Sequence, residues 1–210
     1  MSRKLPKRLF ITGTDTDIGK TLTSTMICLA TKRYYWKPIQ TGASQQTDTQ
    51  TLKQFINKDK VIPESYIFKE PLSPHQAAFN QDVTIDTSSI TIPSQYSDQE
   101  LIIEGAGGLL VPINDHFYMI DLIKQISCPV IIVARSTLGT LNHTLLSIEA
   151  LRIRNIPLLG IVLIGPFNKP NKTALEYYGK TRVLWEIPIL TNITSKSLIN
   201  IYHQSSKQGI

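Results

Sequence analysis

Four short stretches of the 210-residue chain set lysines, carboxylates, hydroxyls or glycines in close succession. The first is GTDTDIGKT, residues 13–21, directly after the apolar run RLFIT. A glycine-rich turn between a strand and a helix points backbone N–H groups into the turn, and the helix N-terminus adds a partial positive charge, so a polyphosphate fits there. Lys20 would reach the β- and γ-phosphates, and the Thr21 hydroxyl would bind Mg²⁺. Five residues separate Gly13 from Gly19, one more than the usual four, but only Gly19, Lys20 and Thr21 must keep their register. The plainer alternative is an ordinary strand–turn–helix.

The second stretch, LIIEGAGGL (101–109), ends an apolar run in a carboxylate. Open α/β sheets bind ligands at the C-terminal ends of their strands, which places Glu104 to act on Mg²⁺ from the side opposite Thr21. The glycines after it let backbone approach a ligand closely. In the third, WKPIQTG (36–42), Lys37 could bring a second ammonium to the phosphates, with Thr41 and Gly42 following as a hydroxyl and an open backbone. Two converging ammonium groups would suit a reaction in which negative charges meet. The fourth is TDTQT (47–51): Asp48 is a helix N-cap by default and a third Mg²⁺ oxygen in this context. STLGTLNH (136–143) opens a further helix with an anion-friendly N-terminus, while SPHQAA (73–78) reads as a helix start in which His75 is structural. No Ser-His-Asp arrangement or His/Cys metal cluster can be picked out by spacing.

Elements that could position these groups are visible as apolar runs. RLFIT (8–12), LIIEG (101–105), PVIIVAR (129–135) and PLLGIVLIG (157–165) read as strands buried on both faces, with YYWKPI (34–39) a weaker fifth limited by Pro38. Helices are expected over 20–32, 119–126 and 140–154, the last stopped by Asn155. Residues 80–100 read as a loop with one short helix. Strands alternating with helices imply an α/β fold, a mostly parallel sheet flanked by helices on both faces, in one domain spanning 1–210.

The composition excludes several classes. At 41% hydrophobic and 18% charged the chain is globular in type. The net charge of +6, partly from Arg3, Lys4, Lys7 and Arg8, comes without the aromatic–basic interleaving or helix-turn-helix pattern of a nucleic-acid binder. The first apolar run is too short for a signal peptide, and none approaches a membrane span. Cys28 and Cys128 sit in apolar runs and read as buried thiols, in keeping with a reducing, cytoplasmic location.

Taken together, GTDTDIGKT, KPIQTG, SPHQAA, EGAGGLLVP and the run from Pro129 to Leu163 resemble, in this order, dethiobiotin synthetases of biotin biosynthesis, which are P-loop NTPase-like. The resemblance spans roughly residues 8–190, and that family's phosphate loop has the same five-residue spacing. It implies that 7,8-diaminononanoate takes up CO₂ as a carbamate, whose oxygen attacks the γ-phosphate of ATP, after which the second amine closes the ureido ring. It assigns Lys37, Lys20 and Thr16 to catalysis, and Thr21, Asp48 and Glu104 to Mg²⁺. Nucleotide contacts would come from Asp17, Ile18, Gly19, Lys20, Thr21, Leu22, Asp48, Glu104, Gly105, Ala106 and Gly107, and from Pro188, Ile189 and Leu190. Thr41, Gly107, Gly108, Leu138, Gly139 and Asn142 would bind the substrate, the last three at a helix N-terminus near a homodimer interface. No nucleic-acid or membrane partner is implied. Two departures stand out. The segment between Thr21 and Lys37 is shorter than in better-known members. Ile164 replaces an Asn that reads adenine in many members, which implies looser choice among nucleoside triphosphates.

Two rival readings share the fold. A partition-type switch ATPase usually carries a second lysine inside the phosphate loop, where this chain has none before Lys20. A catalytically silent relative has no need to keep Lys20, Thr21, Lys37, Asp48 and Glu104 together.

Overall fold

The computed structural model describes residues 5–206; Arg3 and Lys4 of the basic cluster lie outside them. In chain order the elements are β1 (Arg8–Gly13), α1 (Lys20–Thr31), β2 (Tyr34–Trp36), β3 (Ile39–Gln40), α2 (Asp48–Leu52), β4 (Val61–Ile62), β5 (Tyr66–Ile67), α3 (Pro74–Phe79), β6 (Leu101–Gly108), α4 (Met119–Ile126), β7 (Val130–Arg135), α5 (Thr140–Ile153), β8 (Leu158–Ile164), α6 (Lys169–Gly179), β9 (Val183–Ile187) and α7 (Ser195–Ser206). Seven strands form one sheet in the order β4-β2-β6-β1-β7-β8-β9, and every pairing in it is parallel. This is the expected α/β architecture.

Side-chain alternation explains why the strands read as continuous apolar runs. Leu9, Ile11, Ile102, Ile131 and Val133 pack on the face covered by α1 and α7, whereas Phe10, Leu101, Ile103, Ile132 and Ala134 pack on the face covered by α4, α5 and α6. Both faces are buried, so both carry Ile, Val and Leu. Glu104 lies two residues beyond Ile102 and therefore points to the α1 side. The same parity puts Tyr35 and Lys37 on that side.

The strand expected at 34–39 is two strands. Pro38 cannot donate to a ladder, and the chain leaves the main sheet there; Ile39–Gln40 pairs instead with Tyr66–Ile67 in a separate two-stranded sheet. The break carries Lys37 out of the sheet at the C-terminal end of β2. β6 runs on to Gly108, past the expected end at 105, because Gly108 pairs with Gly13 of β1 across an irregularity in register. Residues 80–100 hold two single 3₁₀ turns, Thr87–Ser89 and Ser94–Tyr96, where one helix was expected; the Asp86 carboxylate caps the first by accepting the Ser88 N–H. α5 ends at Ile153, and Asn155 takes a positive φ of 55°, as its role as a stop requires.

Candidate active site

β1 feeds the phosphate loop into α1, and Gly19 stands at the helix N-cap position with φ 96°. A Cβ there would lie 2.5 Å from Ile164 Cδ1, so glycine is required both by backbone conformation and by the β8 side chain resting on it. Asp17 also has a positive φ, 51°. The Lys20 ammonium donates to the Asp15 carbonyl at 2.9 Å, which curls the loop over its own lysine. Burial, and then the nearby Lys37 ammonium, lower the Lys20 pKa.

The carboxylates converge on the same helix start. The Thr21 hydroxyl lies between Asp48 Oδ1 and Glu104 Oε1, 2.9 Å from the latter. The Lys37 ammonium bridges Asp48 Oδ2 at 2.8 Å and Glu104 Oε1 at 3.2 Å. Burial alone would depress the Lys37 pKa, but the Glu104 and Asp48 charges raise it above its ordinary value. Burial would raise the Asp48 pKa; the Lys37 charge, with hydrogen bonds from Lys37, Thr21 and Gln40, holds it below the ordinary value.

Asp48 is not the helix cap. Thr47 occupies that position, its side chain accepting the Gln50 N–H while the Gln50 side chain accepts the Thr47 N–H. With the cap supplied by its neighbour, Asp48 at the first helical position can turn its carboxylate to Thr21 and Lys37. Gln40 Oε1 accepts the Asp48 N–H at 3.2 Å and fixes the start of α2 against β3.

A cavity of about 580 Å³ opens above these groups, lined by Thr16, Asp17, Ile18, Gly19, Lys20, Thr21, Lys37, Thr41, Asp48, Glu104, Ala106 and Gly107 among the expected residues. Gly105 lies behind its wall: its carbonyl is 3.5 Å from the Lys37 ammonium, and a Cβ would meet the Phe10 ring at 2.9 Å. Gly108 packs against the phosphate loop, where a Cβ would stand 3.2 Å from the Gly13 carbonyl. Leu22 is half-buried on α1, outside the lining. Leu138, Gly139 and Asn142 are exposed around the start of α5 and do not line this cavity; nor do Pro188, Ile189 and Leu190 after β9. His75 lies in a separate groove beside α3, with Nδ1 3.0 Å from Ser73 Oγ.

Sequence reading missed Gln40, Gln45, Gln46 and Ser73, which line the cavity. It also missed Ser24 and Tyr35, which hydrogen-bond Glu104 from behind. Ser24 could have been found one helical turn after Thr21, and Tyr35 two residues before Lys37.

Three oxygens, from Thr21, Asp48 and Glu104, meet with a single hydroxyl proton among them. Such a cluster of hard donors suits Mg²⁺, which takes few protein oxygens and completes its shell with phosphates and waters.

Comparison with known proteins separates fold from family. A ParA family ATPase from Chlorobium tepidum superposes with a TM-score of 0.57 at 12% identity, over 96% of this chain and 91% of that one, and shows the P-loop NTPase-like fold alone. A family model described as an AAA domain matches residues 7–197. The ATP-dependent dethiobiotin synthetase BioD of Paramagnetospirillum magneticum is 44% identical over 193 residues, 92% of this chain and 93% of that protein. Its counterpart from Lawsonia intracellularis is 44% identical over 194 residues, 92% of this chain and 94% of that protein. Identity at this level over nearly the whole length, with the phosphate loop, Lys37, Asp48 and Glu104 gathered on one cavity, means that the chain belongs to the family of ATP-dependent dethiobiotin synthetases.

Proposed function

We propose that this protein makes dethiobiotin from 7,8-diaminononanoate, CO₂ and ATP. One amine of the substrate adds to CO₂ and loses a proton to give a carbamate. A carbamate oxygen attacks the γ-phosphorus as ADP leaves, forming a carbamic-phosphoric anhydride. The second amine then attacks the carbamoyl carbon, phosphate departs, and the ureido ring closes with loss of a proton.

The observation that carries this reading is the meeting of two buried lysines, Lys20 and Lys37, with two carboxylates and the Thr21 hydroxyl at the phosphate loop. An anionic carbamate approaching an anionic phosphate is opposed by charge, so fixed cations at the meeting point supply the main catalytic effect. Lys20 would hold the β/γ-phosphates. Lys37, held in reserve on Asp48 and Glu104, would face the carbamate and the transferred phosphoryl group. Thr16 and Thr41, both on the cavity wall, would orient the carbamate by hydrogen bonds. Thr21, Asp48 and Glu104 would hold Mg²⁺, which when bound neutralises charge on the β- and γ-phosphates.

The substrate's own carboxylate needs a partner, and Leu138, Gly139 and Asn142 stand exposed rather than on the cavity. We assign them to a second copy of the chain in a homodimer. Leu146 and Ile153, seven residues apart on one stripe of α5, are exposed apolar groups, as are Tyr177 and Tyr178 on the packed neighbour α6. No helix among the described residues is long and apolar enough to cross a membrane.

Oxygen labelling tests the chemistry. With freshly added ¹⁸O-bicarbonate and the diamine, the released phosphate should carry one labelled oxygen, because a carbamate oxygen attacks phosphorus. Phosphate whose new oxygen comes from water would instead identify an ATPase.

A further inference from the structure

The two oxygens of the Glu104 carboxylate face different surroundings. Oε1 meets the cavity groups Thr21 at 2.9 Å and Lys37 at 3.2 Å. Oε2 is turned away from them and accepts from Ser24 Oγ at 2.7 Å and Tyr35 Oη at 3.1 Å. Ser24, Tyr35 and Glu104 are all fully buried, and neither hydroxyl donor lines the cavity. The donors come from different elements, Ser24 from the helix α1 and Tyr35 from β2, the strand paired with β6.

We propose that Ser24 and Tyr35 are positioning residues that pin Glu104 by its inner oxygen, so that Oε1 alone is offered to the divalent cation and to Lys37. A carboxylate held at one oxygen by two donors cannot rotate to present both oxygens to the cavity. That matters for Mg²⁺, which demands near-octahedral geometry at short distances. Groups that orient a ligating carboxylate typically change metal affinity by 10–100-fold when lost. The proposal rests on reading Glu104 as a metal-holding residue, and the experiment separates the two.

Mn²⁺ affinity is measured by calorimetry in the presence of AMPPNP, for the wild type and for Tyr35→Phe, Ser24→Ala and Glu104→Gln. AMPPNP affinity in EDTA and the melting temperature are recorded for each. Tyr35→Phe and Ser24→Ala should each weaken Mn²⁺ binding about tenfold or more, with AMPPNP affinity in EDTA unchanged. Wild-type Mn²⁺ affinity in both variants, while Glu104→Gln loses it, overturns the proposal and leaves the metal reading standing. Wild-type Mn²⁺ affinity in Glu104→Gln overturns both. Equal loss of AMPPNP binding with and without metal would make the pair mere packing between α1 and β2, and would also overturn it. Because the two donors sit on separate elements, one folded variant is enough to decide.

Discussion

At the scale of single residues, the site is a set of charges waiting for a counter-charge. Lys37 is held on Asp48 and Glu104, and Lys20 on the carbonyl of Asp15. Both ammonium groups are buried and rest on partners that an arriving polyphosphate would replace. Ile164 adds a different kind of information. Its side chain rests on Gly19, so at this point of β8 an aliphatic group with no hydrogen-bonding atom stands beside the phosphate loop. A site that hydrogen-bonds a substrate rejects analogues by 10⁴–10⁵, whereas an apolar contact discriminates weakly. GTP or CTP should therefore support more than about a hundredth of the ATP rate. Steady-state rates with each triphosphate check this, and a lower ratio would mean that another group reads adenine.

At the scale of elements, the site depends on short pieces that hold their residues by local bonds. α2 is a five-residue helix carrying Asp48, and its capping box is made by Thr47 and Gln50. Thr47→Ala should cost about 1 kcal/mol of stability and raise the Mg²⁺ concentration for half-maximal activity, because the carboxylate loses its fixed start; urea unfolding and a Mg²⁺ titration measure the two effects. The same pieces explain what the chain's residues reveal on inspection and what they conceal. GTDTDIGKT and EGAGG were legible because each sets its chemistry within one continuous stretch bounded by a strand. Ser24 and Tyr35 were not, since nothing in a serine on a helix or a tyrosine on a strand announces a carboxylate brought from residue 104. β3, β4 and β5 have two residues each, too short for any periodicity to show. α6 and α7 were missed because their buried positions are sparse: α6 buries Leu175 and Gly179, and α7 anchors on Leu198 and Ile201 among polar residues. Asp48 misled as a cap because Asp and Thr both serve there, and only the dihedrals decide between neighbours.

At the scale of the whole molecule, two faces of one parallel sheet bury the core and leave its C-terminal edge for chemistry, as open α/β sheets do. Cys28 and Cys128 belong to that core and are both buried and outside any disulfide. Burial pushes the Cys128 thiol up to about 12 from an ordinary 9.0. A thiol-reactive disulfide reagent at pH 8 should label neither cysteine in the native protein and both in denaturant. The raised pKa also fixes a sign: below pH 9.0 the thiol leaves stability unchanged, and between pH 9.0 and about 12 stability falls as pH rises, because the unfolded chain ionises first. The exposed stripe on α5 makes a second test at this scale. Leu146→Glu should turn a dimer into a monomer in sedimentation velocity and raise KM for the diamine, if the neighbouring copy supplies the carboxylate site; an unchanged sedimentation coefficient would remove α5 from the interface. In the proposed reaction, Lys20, Lys37 and the metal-binding oxygens serve phosphoryl transfer to a carbamate rather than to water. The most direct measurement is phosphate release from Mg-ATP and bicarbonate, with and without 7,8-diaminononanoate, for the wild type and Lys37→Ala. Release should require the diamine, match the dethiobiotin formed, and fall by about 10²–10³ in the variant. Release at the same rate without the diamine, or undiminished in Lys37→Ala, would rule out transfer to a carbamate assisted by Lys37.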